Sequence, residues 1–145
     1  MSEELALYQE AIKQMAAAAH SHGTLVSPDG EAKLNNPLCG DRVYMQVKLD
    51  GGHISAIAHQ TKGCLLCKAA ASLLGARAMG LDIFAIDAAT NALEAVLGAQ
   101  AASPADWPEL AMFLPAHAHP SRHKCVLLPF RALLAAMHSG SGKTR

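Results

Sequence analysis

The feature that most constrains the fold is a two-stranded pattern around Asp50-Gly51-Gly52. Apolar and polar side chains alternate over residues 42–50, and an extended pattern returns over residues 53–60. Strict alternation is typical of a strand with one buried face, and Asp-Gly-Gly between two such segments is typical of a tight turn. The sequence therefore predicts an antiparallel β-hairpin from Arg42 to Gln60.

Helical patterns lie on both sides of this hairpin. Apolar residues recur at helical spacing over residues 3–20, 64–80 and 83–97, which predicts three helices. A final helix is expected over residues 126–137, and Pro129 can start it because proline suits a first turn. Helices on both sides of an antiparallel hairpin indicate an α+β domain.

The remaining segments are rich in residues that interrupt regular structure. Residues 21–38 are predicted to form one long loop, and residues 98–121 an irregular stretch with a short helix. The Gly/Ser-containing tail, residues 139–145, is predicted to be disordered. This leaves a single domain over residues 1–138, because a chain of 145 residues is too short for two well-cored domains.

The composition argues against several classes of partner. Hydrophobic residues make up 51% of the chain, and 12 Lys and Arg balance 12 Asp and Glu. A neutral chain lacks the charge that attracts nucleic acid or anionic membranes. No segment approaches the ~20 apolar residues of a membrane span, and the acidic start of the chain does not resemble a secretory signal. We therefore expect a soluble, cytoplasmic protein that binds neither nucleic acid nor membranes.

Three of the four cysteines lie where predicted elements meet. Cys39 precedes the first strand of the hairpin, Cys64 lies between the second strand and a helix, and Cys125 lies in the loop entering the last helix. A disulfide framework is not expected in a reducing compartment, so the cysteines are core residues, redox groups or metal ligands. Because a hairpin brings its two ends together, Cys39 and Asp41 should lie close to Cys64.

Such a cluster suits a metal. Three thiolates and a carboxylate satisfy tetrahedral zinc or an iron of an iron–sulfur cluster. Gly40 allows a left-handed backbone that lets Cys39 and Asp41 converge, and a helix N-terminus at Cys64 favours the thiolate. The hard oxygen of Asp41 suits soft iron–sulfur units less well, so the pattern predicts a site that passes its cargo on.

These segments resemble the iron–sulfur cluster assembly scaffold proteins of the NifU N-terminal, IscU and SufU type. The similarity lies in Asn-Pro-x-Cys-Gly-Asp at 36–41, Gly-Cys at 63–64 before an Ala-rich helix, and Cys-x-x-Leu at 125–128. The resemblance implies an α+β fold with a three-stranded antiparallel sheet flanked by helices. It also implies a site for zinc, iron, or a transient 2Fe-2S or 4Fe-4S cluster. The implied ligands are Cys39, Asp41, Cys64 and Cys125.

Within this family the chain resembles the Suf-type branch, because Lys124 stands where the classical scaffolds have His. The resemblance implies an assembly protein that accepts persulfide sulfur from a cysteine desulfurase of the SufS or IscS type and serves apo iron–sulfur proteins. Such a protein is a scaffold or sulfur acceptor rather than a classical enzyme. The alternative is a zinc-dependent sulfurtransferase that relays sulfur and never holds a cluster.

Two thiols have particular expected roles in sulfur transfer. Cys39 lies in a long loop beside Gly40, so it can swing towards a partner and is the expected first sulfur acceptor. Cys67 stands where the Suf-type branch usually has Ser. It is a core residue, a relay thiol or an extra ligand.

Two rival interpretations start from the same cysteines. Cys64-Leu65-Leu66-Cys67 has the dithiol spacing of thioredoxin-like redox proteins, but that fold needs a βαβ unit where a hairpin is predicted. A purely structural zinc domain would repeat two close cysteine pairs, and this chain has one. The histidines before Cys125, at positions 117, 119 and 123, are expected to be exposed loop residues rather than ligands.

Overall fold

The fold is an antiparallel three-stranded sheet flanked by helices, as predicted. A computed structural model describes residues 3–38, 40–98 and 107–141, without the side chains of residues 3–7 and 141. The strands lie in the order β1-β2-β3. The elements are α1 (Glu3–Ala18), β1 (Gly30–Asn36), β2 (Asp41–Asp50), β3 (His53–Lys62), α2 (Leu65–Arg77), α3 (Ile83–Leu97), a 3₁₀ helix η1 (Pro108–Ala118) and α4 (Pro120–Ser141).

The predicted hairpin is formed by β2 and β3. Asp50 pairs with His53, so Gly51 and Gly52 make a two-residue turn with φ of 59° and 84°. Positive φ at both positions matches the twist of antiparallel strands, which explains the two glycines. At the open end of the hairpin Arg42 pairs with Lys62. The start of β2 and the chain entering α2 are therefore neighbours.

The segment predicted as a long loop contains β1. This strand pairs antiparallel with β2, from Gly30 opposite Val47 to Asn36 opposite Asp41. Ala32 and Leu34 are its only aliphatic side chains, and both are half-buried. The alternation of apolar and polar residues is therefore weak in this segment. The prediction failed because the neighbouring strand, rather than local alternation, makes this segment extended.

The predictions for α1, α2 and α3 hold, with α3 spanning residues 83–97 as expected, but α4 begins six residues earlier than predicted. Pro120, rather than Pro129, is its first residue, where a missing N–H costs nothing. Cys125 therefore lies inside the helix and not in a loop. Pro129 lies in the helix interior, where the burial of neighbours such as Phe130 and Leu133 outweighs its helix-breaking tendency.

The last helix also ends later than predicted. Residues 139–141 belong to α4 rather than to a disordered tail, and residues 142–145 lie outside the described residues. A Cβ added to Gly30 would lie 2.0 Å from the carbonyl oxygen of Ala136 and 2.7 Å from the nitrogen of Gly140. Glycine at both positions lets the helix lie directly on β1, so Gly140 serves packing here.

The core lies between the sheet and the helices. Helix α4 packs against β1 and β2, and α2 packs against α1, α4 and β3. The fully buried side chains include Met45 from β2, Leu73 and Leu74 from α2, and Phe130 from α4. This packing holds the N-terminus of α2 and the second turn of α4 at the open end of the hairpin. In the described ranges no helix is long and apolar enough to cross a membrane.

Candidate metal centre

Three side chains from distant parts of the chain converge at the open end of the hairpin. Asp41 begins β2, Cys64 is the residue just before α2, and Cys125 lies in the second turn of α4. One carboxylate oxygen and the two Sγ atoms all lie within 4.8 Å of one another. Asp41 and Cys125 are buried and Cys64 is half-buried. The predicted proximity of Asp41 and Cys64 is confirmed.

The donor set fits zinc or iron. Ligand atoms of a tetrahedral zinc site lie about 3.5–3.8 Å apart, given zinc–sulfur bonds of about 2.3 Å, so a small contraction of this group would close it. Two sulfurs and one carboxylate oxygen are donors that both metals accept. The three residues leave one tetrahedral position for a further ligand.

The Asp41 carboxylate is held in place by the chain entering α2. The backbone N–H of Cys64 donates to Asp41 Oδ1 at 3.1 Å, and Cys64 Sγ lies 3.9 Å from Oδ2. A Cβ added to Gly63 would lie 2.5 Å from Oδ1. The Gly63-Cys64 pair thus has a steric cause, because only glycine leaves room for the carboxylate against the backbone.

Asn36 contacts the same centre, a role that its sequence context does not indicate. Its Nδ2 lies 3.7 Å from Cys125 Sγ, and its Oδ1 accepts a hydrogen bond from the Leu38 N–H at 3.3 Å. Its backbone carbonyl accepts a further bond from the Gly40 N–H at 2.8 Å. An Asn directly before Pro is a common turn former, so a turn was the signal available in the sequence.

Cys39 itself lies outside the described residues, so its roles as ligand and sulfur acceptor remain predictions. Its neighbours in the sequence are described. Leu38 is 84% exposed. Gly40 is exposed and has φ of 74°, the left-handed conformation expected from the sequence.

Cys67 faces the core rather than the centre. It is fully buried in α2 among the core side chains. Burial raises the pKa of the Cys67 thiol above its ordinary value, and the nearby charges of Asp41 and Cys64 raise it further. A protonated, inaccessible thiol is a poor nucleophile, so both observations favour core packing over a relay role.

Two of the three histidines before Cys125 contact backbone carbonyls through their rings. His117 Nδ1 lies 3.1 Å from the carbonyl oxygen of Leu97, and His123 Nε2 lies 3.0 Å from that of Ala116. His117 and His119 are exposed, as expected. His117 lies in η1 and His123 in α4, however, so the expected loop location is wrong for both.

Comparison with known proteins agrees with this geometry. The sequence model of the NifU-like N terminal domain matches residues 7–112, which is most of the chain. The chain belongs to the NifU-like N-terminal domain family. Asp41 and Cys64 lie within the matched residues, whereas Cys125 lies beyond them. The place of Cys125 beside the other two therefore comes from the fold.

Curated relatives include two proteins of iron–sulfur metabolism. The iron–sulfur cluster assembly scaffold protein IscU of Streptococcus pyogenes serotype M1 is 29% identical over 140 residues, covering 90% of this chain and 82% of the relative. The zinc-dependent sulfurtransferase SufU of Bacillus subtilis is 29% identical over 101 residues, covering 69% of each chain.

Solved structures support the same fold. The N-terminal NifU-like protein of Brucella abortus has a TM-score of 0.89 at 26% identity, covering 99% of this chain and 100% of that one. An iron–sulfur cluster assembly scaffold protein for the SUF system of Fervidobacterium islandicum has a TM-score of 0.83 at 21% identity. The match covers 94% of this chain and 99% of that one. At that lower identity the second likeness shows the fold alone.

Proposed function

We propose that this protein binds zinc or iron through Cys39, Asp41, Cys64 and Cys125 and acts in iron–sulfur cluster assembly. The observation that carries the proposal is the convergence of Asp41, Cys64 and Cys125 within 4.8 Å, from a strand and two helices. Membership of the NifU-like N-terminal domain family supports the same process. Cys39 would supply the remaining ligand, because its neighbour Gly40 is bonded to Asn36 beside this group.

The proposed activity is the receipt of sulfur from a cysteine desulfurase and the assembly of a transient 2Fe-2S or 4Fe-4S cluster for apo iron–sulfur proteins. The Cys39 thiolate would attack the outer sulfur of the donor persulfide. A new S–S bond then forms on Cys39, the donor S–S bond breaks, and the donor cysteine leaves as a thiolate. The exposure of Leu38 and Gly40 supports access of a partner to this loop. The reducing cytoplasm, which keeps these thiols reduced, is the proposed location.

The alternative is a zinc-dependent sulfurtransferase that relays sulfur without holding a cluster. The similarity to the Bacillus subtilis SufU protein favours it. A dithiol redox function has less support, because a resolving thiol must be reachable and Cys67 is fully buried.

Metal analysis of protein purified without oxygen tests the proposed site. We expect about one zinc or iron per chain, as in other four-ligand sites. The double variant Cys64→Ser/Cys125→Ser should lose the metal, whereas Cys67→Ala should keep it. Metal that stays bound to the double variant would refute the proposed ligands.

Sulfur transfer is tested by incubation with a cysteine desulfurase and cysteine, followed by peptide mass spectrometry. We expect the added sulfur on Cys39, and a persulfide confined to Cys67 would contradict that assignment. Reconstitution with iron and sulfide separates the two candidate functions. A cluster that passes to an apo-ferredoxin supports the scaffold, and zinc that iron cannot displace supports the relay.

A further inference from the structure

We propose that Asn36 is a positioning residue of the metal centre, which orients Cys125 and stabilises the negative charge on its sulfur. The inference rests on the proposed metal-binding function. Asn36 ends β1 opposite Asp41, and its side-chain amide lies between the Leu38 backbone and Cys125 of α4.

Asn36 is buried, unlike the residues on either side of it. Asn36 is 5% exposed, whereas Asn35 and Pro37 on either side are exposed. A buried amide is costly unless its polar atoms are hydrogen-bonded. Here both ends of the amide have partners, since Oδ1 faces the Leu38 N–H and Nδ2 faces Cys125 Sγ.

The contact with Leu38 determines which way the amide points. An N–H can only donate, so the atom of Asn36 that faces the Leu38 N–H must be the oxygen. The NH₂ group therefore points to Cys125. This group has donors and no acceptor. It can therefore donate a hydrogen bond to the thiolate form of Cys125, but it cannot accept one from the thiol.

The charge on the sulfur determines how strong this contact is. A neutral thiol is a weak acceptor, whereas hydrogen bonds to ionised groups are roughly twice as strong as neutral ones. Metals bind the thiolate, so the contact with Asn36 strengthens in the state that holds a metal. Partners that orient a ligand in this way typically change metal affinity by about 10–100-fold.

The same residue also holds both sequence neighbours of Cys39. Leu38 and Gly40, the neighbours of Cys39 on either side, both donate backbone hydrogen bonds to Asn36. Asn36 therefore connects Cys125 on α4 with the turn between β1 and β2. Loss of the Asn36 side chain should disturb Cys125 and the proposed ligand Cys39, and should leave Cys64 beside α2 in place.

The variant Asn36→Asp tests the proposal most sharply. It keeps the shape of the side chain and the oxygen that accepts from Leu38, but replaces the donor to Cys125 with a second oxygen. The matched control is Asn35→Asp, with the same charge change on an exposed side chain one position earlier. Asn36→Ala removes donor and acceptor without adding charge, and covers the case in which Asn36→Asp fails to fold.

Three measurements would be made on each full-length variant. Zinc affinity is measured by competition with a chelator, thiolate-to-metal charge transfer by the absorption of the cobalt(II) form, and folding by thermal unfolding without metal. We expect zinc affinity to fall about tenfold or more in Asn36→Asp, less in Asn36→Ala, and within about twofold in Asn35→Asp. The charge-transfer absorption should change in the Asn36 variants only.

Each contrary result has a distinct meaning. Equal zinc affinity in the wild type and the Asn36 variants would overturn this inference and leave the proposed function intact. An affinity loss with unchanged charge-transfer absorption, or one matched by Asn35→Asp, would also overturn it, because a general structural effect would then suffice. Absence of zinc binding by the wild type would overturn the proposed function together with the inference.

Discussion

Single atoms limit which residues can stand beside the candidate centre. Gly63 is the clearest case, since an added Cβ would lie 2.5 Å from Asp41 Oδ1 and 2.8 Å from its Cγ. The carboxylate is also tied to the Cys64 N–H, so it cannot turn away without losing that hydrogen bond. A methyl group at position 63 must therefore displace either the carboxylate or the backbone entering α2.

We predict that Gly63→Ala lowers the free energy of unfolding of the metal-free protein by about 1–3 kcal/mol, as overpacking usually does. It should also weaken zinc binding, because the Asp41 carboxylate is displaced. Urea unfolding and chelator competition measure the two effects. Gly98→Ala is the matched control, since Gly98 is exposed and has an ordinary φ of −83°. Zinc affinity unchanged by Gly63→Ala would contradict the role given to Asp41.

At the scale of elements, local sequence patterns predicted the helices and strands whose formation depends on their own residues. The hairpin and α1 to α3 follow from hydrophobic period and turn residues, and they were predicted close to their observed bounds. The strand β1 and the start of α4 depend on packing against other elements, and both were wrong. Asp41, Cys64 and Cys125 could be selected because their side chains carry recognisable chemistry. Asn36 could not, since its role arises only when β1 pairs with β2.

The turn after α1 shows another role that depends on packing. Ala19 and Ser21 have positive φ, of 44° and 64°, which is unfavourable for residues with side chains. His59 of β3 stabilises this turn, because its Nε2–H donates to the carbonyl oxygen of His20 at 2.9 Å. Its Nδ1 lies 2.9 Å from the Thr61 hydroxyl oxygen, so both ring nitrogens have a polar partner.

Burial lowers the pKa of His59 below its ordinary value of 6.5. The unfolded chain therefore binds a proton at this residue more readily than the folded chain does. The stability contributed by neutral His59 is present above pH 6.5 and is lost as the pH falls towards the lowered pKa. We predict that His59→Gln shows a smaller loss of unfolding free energy between about pH 7 and pH 5 than the wild type. The unfolding free energy is measured by urea unfolding at each pH. Equal losses in the variant and the wild type would refute the prediction.

At the scale of the whole molecule, the centre joins parts of the chain that are far apart in sequence. Its three described side chains come from β2, α2 and α4, which also pack together in the core. An unfolded chain cannot hold these groups at ligand distances. Metal binding at this centre would therefore be coupled to folding of the entire domain.

We predict that metal raises the melting temperature and that a chelator lowers it. Free metal at 1,000 times its dissociation constant adds about 4 kcal/mol to the free energy of unfolding, provided that the unfolded chain does not bind it. Thermal unfolding with zinc and with chelator measures this effect. The variant Cys64→Ser/Cys125→Ser serves as the control and should melt at one temperature in both conditions. A wild-type melting temperature that does not respond to metal would contradict the proposed site.

Pro129 removes one backbone hydrogen bond from the middle of α4. In a regular α-helix the N–H of residue 129 would bond to the carbonyl of residue 125, but proline has no N–H to donate. The backbone at Cys125 is thus not tied to the next turn by the usual bond. Cys125, in the second turn of α4, therefore lies where the helix has one hydrogen bond fewer, whereas the far end of the helix packs directly on Gly30. If the proposed centre binds metal, the turn that carries Cys125 would adjust to it with one helix hydrogen bond fewer to break.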